Sequence, residues 1–243
     1  MGLGHGNTPT WLNQTDSGRT FTSLNRVVQS GLVLNLDAGA STSYPGSGTT
    51  WTDLSGSGNT GTIANGTYTS ANGGSLVFDR STYVNLGDPT SLRFGTGDWS
   101  FECWFKANNI SYGGNDSAMI ISKNYATSFE SYFYGGAFAN YVAGSGVSTN
   151  NISTPTWGTS IWYHTVYSKT SGVYNVYQNA VLCGQTANSS NISGTGSSWW
   201  IGRRSGGSLG FDGYIPIVRM YNKGLTAAEI TQNYNALRER FGI

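Results

Sequence analysis

The sequence predicts an all-β fold, a sandwich of two antiparallel sheets with one α-helix near its carboxyl end. Three observations lead there. Short runs with period-two alternation recur between turn residues from Gly31 onward. Glycine, serine, threonine and asparagine dominate a chain that is only 10% charged yet 14% aromatic, a composition suited to tight turns and strand surfaces around aromatic rings. Helical spacing is well signalled after Leu225. A chain of 243 residues can bury one sizeable core, so one domain over 31–243 is expected, preceded by an extended arm over 1–30.

The arm is polar and weakly periodic, with Trp11, Phe21 and the pair Val27 and Val28 as isolated apolar anchors. Two readings stand: a terminal segment draped on its own domain, or a tether that docks on a neighbouring subunit. Alternation then defines strands in Ser75-Leu-Val-Phe-Asp79 and Tyr83-Val-Asn-Leu86. In Trp99-Ser-Phe-Glu-Cys-Trp-Phe-Lys106, one face carries Trp99, Phe101, Cys103 and Phe105 and is assigned to the core, while Glu102, Trp104 and Lys106 share the other. Trp162 to Ser168 and Gly172 to Tyr177 flank Lys169-Thr-Ser-Gly172, which reads as a hairpin. A second turn follows at Gln178-Asn-Ala180. Later strands are Ser198-Trp-Trp-Ile201, Gly213-Tyr-Ile215 and Ile217-Val-Arg-Met-Tyr221. Pro216 lies between the last two and cannot donate to a ladder, which predicts a bulge or a sheet edge. Thr226 and Glu229 form a capping box, and Leu225 is placed to staple Ile230. Ile230, Tyr234, Leu237 and Phe241 make one apolar stripe, expected to close an end or edge of the sandwich, and Gly242 marks the stop.

Thirteen basic and twelve acidic residues leave a net charge of +1 and no basic cluster, which argues against nucleic acid and anionic membranes as partners. Cys103 and Cys183 are too few for a disulfide framework and read as a buried pair of free thiols. Met1 to Thr10 lacks a cationic start and an apolar stretch, and no later segment has the length of a membrane span. Export by the usual route and membrane insertion are therefore not expected.

Trp51-Thr-Asp-Leu-Ser-Gly, Leu76-Val-Phe-Asp79, Trp99 to Lys106, Trp162-Tyr-His, Tyr177-Gln-Asn-Ala-Val181 and Phe211-Asp-Gly-Tyr-Ile215 occur in order, followed by Arg219-Met-Tyr-Asn222 and Leu225-Thr-Ala-Ala-Glu-Ile230. Together they resemble the laminin-G-like branch of the concanavalin A-like lectin/glucanase superfamily, from about Gly31 to Leu237. The resemblance implies a jelly-roll of two sheets, rim loops, and frequently a calcium ion or a glycan near those loops. The chain departs from the pattern at Arg80-Ser-Thr82, at Pro216, and at Asn179-Ala180, where asparagine-glycine is usual. Leu36-Asp-Ala-Gly, the stretch from Ser43 to Gly56, and Tyr234-Asn-Ala-Leu-Arg238 further resemble a subset found in tailed-bacteriophage virion proteins. That subset implies assembly in the host cytoplasm and release by lysis, with no signal peptide needed.

Fold alone does not assign an activity. Hydrolysis of a glycosidic bond needs two carboxylates flanking it, and the four glutamates, Glu102, Glu130, Glu229 and Glu239, are scattered. The two histidines, His5 and His164, suggest neither a zinc cluster nor a nucleophile–base pair. Gly56-Ser-Gly-Asn-Thr-Gly61 has the letters of a dinucleotide loop, but nothing after it can form the required helix. Asp53 and Asn59, joined by Asp212 or Asp79, offer the hard oxygen donors that calcium prefers, while Asx residues beside glycine also build turns with no metal. Sugar recognition calls for exposed rings beside amides and carboxylates. Tyr112, Tyr125, Tyr132, Tyr134 and Trp157 fall in polar, glycine-rich surroundings and are the candidate platform. The expectation is a non-enzymatic virion surface protein, a capsid decoration or appendage subunit. It would be attached through its arm to virion or capsid subunits, form a homo-oligomer and present a face to host-surface glycans. The alternative is a free calcium-assisted lectin; a glycoside hydrolase comes third.

Overall fold

The computed structural model describes residues 26–113, 116–124, 128–142, 157–187, 192, 196–204 and 206–243. In chain order the strands are β1 (Leu32–Asp37), β2 (Thr50–Trp51), β3 (Gly61–Ala64), β4 (Thr67–Thr69), β5 (Ser75–Asp79), β6 (Tyr83–Gly87), β7 (Trp99–Ala107) and β8 (Ala118–Ser122). They continue with β9 (Phe129–Tyr134), β10 (Ala137–Val142), β11 (Trp162–Thr170), β12 (Val173–Gln178), β13 (Val181–Ala187), β14 (Trp199–Ile201) and β15 (Asp212–Tyr221), ahead of helix α1 (Ala227–Phe241). An eight-stranded sheet runs β13-β12-β11-β7-β15-β5-β4, with β1 also paired to β15; a seven-stranded sheet runs β10-β9-β8-β14-β6-β3-β2. Every pairing is antiparallel. The expected two-sheet antiparallel sandwich is the observed architecture; among the described residues there is one α-helix, and no helix is long and apolar enough to cross a membrane.

Aromatic side chains fill the space between the sheets. Trp99 stacks on Phe94 at 5.5 Å and meets Phe129 of the opposite sheet edge-on at 4.9 Å. Phe105 contacts Phe133 and Phe138 across the core at 5.6 and 5.9 Å. Phe101, Cys103 and Phe105 are buried on this side, as their alternation predicts. Cys183 departs from the expected buried pair: it lies half-buried on the edge strand β13, far in pairing order from the buried Cys103, and both thiols are free. Pro216 falls where β15 breaks register against β7, between Tyr214 and Ile217. On its other side β15 passes from pairing with β5, through Ile215, to pairing with β1, from Ile217. A residue with no N–H costs no ladder bond at that junction, and its carbonyl still accepts from Ala38 N–H at 2.8 Å.

Three two-residue hairpins have left-handed backbone at each turn position: Gly135 and Gly136 between β9 and β10, Ser171 and Gly172 between β11 and β12, and Asn179 and Ala180 between β12 and β13. This is the primed geometry that matches strand twist. Ala180 tolerates the conformation where glycine is usual because its side chain packs against the cluster of Val166, Tyr177, Leu225 and Ile230.

The helix corrects an expectation. Its capping box forms, Leu225 and Ile230 share a cluster, and Gly242 adopts the left-handed cap, all as predicted. Its stripe, however, lies across the outer face of the eight-stranded sheet instead of closing an end or edge. Tyr234 and Phe241 stack on Trp104 at 5.9 and 4.5 Å, so the face of β7 turned away from the core is buried as well. The reason is chemical: that face offers Trp104 and Ile217 for apolar cover and, one step along, a carboxylate needing partners.

The carboxylate is Glu102, fully buried. Arg219 Nη1 donates to its Oε1 at 2.9 Å, and Asn233 Nδ2 of the helix donates to its Oε2 at 2.6 Å. His164 Nε2 lies 3.2 Å from Oε1, at ion-pair distance though not aligned for a hydrogen bond. Asn233 Oδ1 in turn accepts the Val28 N–H at 2.7 Å, and Gln232 donates to the Arg26 carbonyl, so the described end of the arm lies on its own domain. The rest of the arm, 1–25, is outside the described residues. Burial pushes the Glu102 carboxyl up, but the Arg219 charge, His164 and Asn233 together outweigh it and hold the group down at about 2.

Two outcomes follow. A carboxyl near 4.5 in the unfolded chain and near 2 when folded stabilises the fold at neutral pH, and that contribution is lost as pH falls from about 4.5 toward 2. Glu102→Gln leaves Arg219 buried without a counter-charge and should cost about 3–5 kcal/mol at pH 7 while flattening that acid dependence, measured by urea denaturation at pH 7, 4 and 2.5. Ser171→Asn, which creates the asparagine-glycine pair favoured by this turn, should add roughly 0.5–1 kcal/mol in the same assay.

Candidate functional site

With α1 lying on the outer face of the eight-stranded sheet, the candidate surface is the outer face of the seven-stranded sheet, whose outward residues are exposed or part-exposed on β3, β6 and β14 and buried at Ser122 and Glu130. Alternation decides what it displays. In β14, Trp199 and Ile201 enter the core and Trp200 points out, part-exposed. A cross-strand row runs from Thr62 through Asn85, Trp200, Ser122 and Glu130 to Tyr141, one residue per strand from β3 to β10. Trp200 stacks on Tyr83 at 4.4 Å and 23°, and the Arg203 guanidinium sits 5.9 Å from the Tyr83 centroid. Gly202, which turns the chain from β14 into the loop bearing Arg203 and Arg204, has φ +78° and its α-carbon rests on the Phe78 ring, so no side chain fits there.

Glu130 is buried, and its charge is neutralised locally: Arg204 donates to both oxygens at 2.9 and 2.7 Å and the Ser122 hydroxyl adds a third bond at 2.8 Å. Tyr132 and Tyr134 continue the outward side of β9, Tyr134 with 48% of its surface exposed. The face thus combines rings, an amide, hydroxyls and an internally balanced ion pair. Such a surface can lie against the C–H face of a sugar and bind its hydroxyls.

Of the residues anticipated for sugar binding, Tyr132 and Tyr134 are on this face, and two are elsewhere. Trp157 is buried against Phe138 at 4.8 Å and Tyr163 at 4.6 Å. Tyr112 is buried beneath the Arg80 guanidinium, 4.8 Å from its centroid. Tyr125 is outside the described residues. Sequence reasoning missed Tyr83 and Trp200. The signal was the pair Trp199-Trp200 in a strand, since alternation must turn one indole outward.

The metal set does not converge. Asp53 and Asn59 are together, but both are consumed by the loop. Asp53 Oδ1 accepts from the Asn35 and Ser55 N–H groups at 2.8 and 2.9 Å, and Oδ2 from the Ser55 hydroxyl and Asn59 N–H at 2.8 and 2.9 Å. The Asn59 amide donates to the Val33 carbonyl at 2.6 Å and accepts from Ser91 Oγ at 2.9 Å. Asp212 is not their neighbour. Asn35 pairs with Arg219, and Asp212 begins the same strand, on the order of 20 Å away at the rise per strand residue. It pairs instead with Asp79, whose Oδ1 is held by Ser81 and Thr82 and whose carboxyl is lowered to about 2, chiefly by the Ser81 hydroxyl. These residues do not fit calcium; the turn reading of the Asx–glycine loop describes them. Among the described residues no group of three or more His, Cys, Asp or Glu could hold a metal ion.

The fold has known counterparts. Domain 4 of AbnA, a GH43 extracellular arabinanase from Geobacillus stearothermophilus solved with arabinotriose, superposes with a TM-score of 0.67 at 17% identity, over 84% of this chain and 98% of that domain. The binding domain of Paraclostridial Mosquitocidal Protein 1 matches at 0.67 and 11% identity, over 86% of this chain and 52% of its own length. A sialidase of Trypanosoma rangeli in complex with sialic acid matches at 0.62 and 15%, over 88% of this chain and 34% of the sialidase. The chain thus spans about half of the mosquitocidal-protein binding domain and a third of the sialidase. A comparison with curated proteins finds no match. A family model of the laminin G type covers residues 78–231, from the end of β5 through the first turn of α1, so the chain belongs to the concanavalin A-like lectin/glucanases superfamily.

Proposed function

We propose that the chain is a non-enzymatic carbohydrate-binding protein that engages saccharide through the outer face of its seven-stranded sheet. The observation that carries this reading is the Trp200–Tyr83 pair, part-exposed and beside Asn85 and Thr62. The arabinanase domain of like fold was solved with arabinotriose, which makes a neutral oligosaccharide the first ligand class to test.

The glutamates support a role without catalysis. Glu102 lies under the helix, Glu130 is locked by Arg204, Glu229 caps α1 and binds Lys223 at 2.6 Å, and Glu239 sits exposed on the helix. Among the described residues none of these glutamates pairs with a second carboxylate in the acid-and-base arrangement typical of glycosidases. The finer reading, a virion surface protein held to capsid or appendage subunits by residues 1–30 and binding host glycans as a homo-oligomer, rests on the resemblance of Leu36 to Gly39, Ser43 to Gly56 and Tyr234 to Arg238.

A glycan array with the full chain, followed by calorimetry on the best hit, tests the reading. Trp200→Ala should weaken binding at least about tenfold while costing roughly 0.5–1.5 kcal/mol of stability, the worth of one aromatic pair. Chelator should leave binding unchanged, since Asp53 and Asn59 are already saturated with protein donors. Undiminished binding by Trp200→Ala, or an array with no hits, would sink the proposal.

A further inference from the structure

On the opposite sheet, beside the carboxyl end of α1, Lys106 stands in the middle of a second cross-strand row, between Trp162 of β11 and Tyr214 of β15. Its ammonium lies 4.9 Å from the Trp162 centroid and 4.7 Å from that of Tyr214. Phe241 backs Trp162 at 4.8 Å, so this wall is rigid. Thr69, Asn72 and Ser75 line the other side of a cavity of about 90 Å³ that opens over the ammonium.

The electrostatics of the cavity are unbalanced. Lys123 and Lys223 are each paired with a carboxylate, and Lys169 donates to the Thr96 carbonyl at 2.6 Å. Lys106 forms no ion pair among the described residues; only ring faces attend it. The other cation nearby, Arg240, donates to the Asn72 and Gly74 carbonyls but is neutralised by Asp37, with two bonds of 2.8 and 3.0 Å. Lys106 is thus left without an ion pair, while Asp212, two residues before Tyr214, accepts from Asn108 Nδ2 at 2.9 Å. The ammonium calls for one negative charge, which a carboxylate carries and a phosphate dianion exceeds. The volume, about three waters' worth, suits a carboxylate with its adjoining carbon and leaves the remainder of a ligand outside.

We infer that this cavity is a binding site for a carboxylate group, with the Lys106 ammonium as its counter-charge and Thr69 and Asn72 as neutral polar partners. The site is separate from the Trp200 face and does not depend on it. Acidic sugars and small organic acids both carry the group. NMR titration of the full chain with D-glucuronate, acetate, D-glucose and inorganic phosphate, at fixed ionic strength, tests the inference. Glucuronate and acetate should shift the Trp162 indole and the Lys106 amide, and glucose should not. Tighter binding of glucuronate would make an acidic sugar the source; equal binding would make the carboxylate alone sufficient. Lys106→Gln should weaken both at least tenfold with only a small drop in melting temperature from the lost ring contacts, and Lys106→Arg should retain most of the affinity. Equal shifts with glucose, tighter binding of phosphate, undiminished binding by Lys106→Gln, or no response at Trp162 to any carboxylate would overturn it.

Discussion

The Glu102 carboxylate is the interaction on which most of the molecule depends. It lies on β7, one residue from the core-facing Phe101, and it gathers Arg219 of β15, His164 of β11 and Asn233 of α1, with Asn233 carrying the tie on to Val28. A buried charge of this kind is costly to desolvate and gives little net stability compared with an apolar substitute, yet removal of any one partner leaves the others stranded. Its consequence is registration. The helix can seat only where Asn233 meets Glu102, which in turn sets Tyr234 and Phe241 over Trp104.

That registration makes the two sheets unlike. The eight-stranded sheet is buried on both sides along most of β7, with a small cavity where Lys106 emerges between two rings. The seven-stranded sheet keeps its outer side and spends it on Trp200, Tyr83 and the tyrosines of β9 and β10. The buried Glu130–Arg204 pair cancels its own charges there while Arg203 stands over Tyr83, so this face offers rings and hydrogen-bonding groups to hydroxyl-rich ligands, whereas the cavity over Lys106 is suited to a single negative charge. One fold therefore presents two surfaces of different chemistry on opposite sides.

Much of the framework was legible in the sequence because the signals were local. Period two sorted the faces of β7, the missing N–H of Pro216 demanded a junction, and Thr226 with Glu229 could cap only a helix. What the helix covers was not legible: a stripe of Ile230, Tyr234, Leu237 and Phe241 states that something apolar lies beneath, without stating whether it is an edge or a face. The Asp53 loop failed for a related reason. Aspartate, serine, glycine and asparagine at close spacing satisfy the grammar of a metal loop and of an Asx turn alike, and only the positions of the Asn35 and Val33 backbone groups decide between them. Trp157 and Tyr112 were misplaced because polar surroundings imply a loop but not the direction in which its rings point.

The same reasoning explains why the face around Trp200 is the better place to look for recognition than the rim loops. A ring on a loop must be ordered when a ligand arrives, and that ordering subtracts from affinity. Trp200 and Tyr83 are already fixed, by neighbouring strands whose inward residues, Trp199, Ile201, Val84 and Leu86, are anchored in the core. The buried Glu130–Arg204 pair serves the same end, since it pins the loop that carries Arg203 over Tyr83. A weak, shallow ligand such as an oligosaccharide gains most from a surface that does not have to move, and preorganisation of this kind follows from the core, not from the loops.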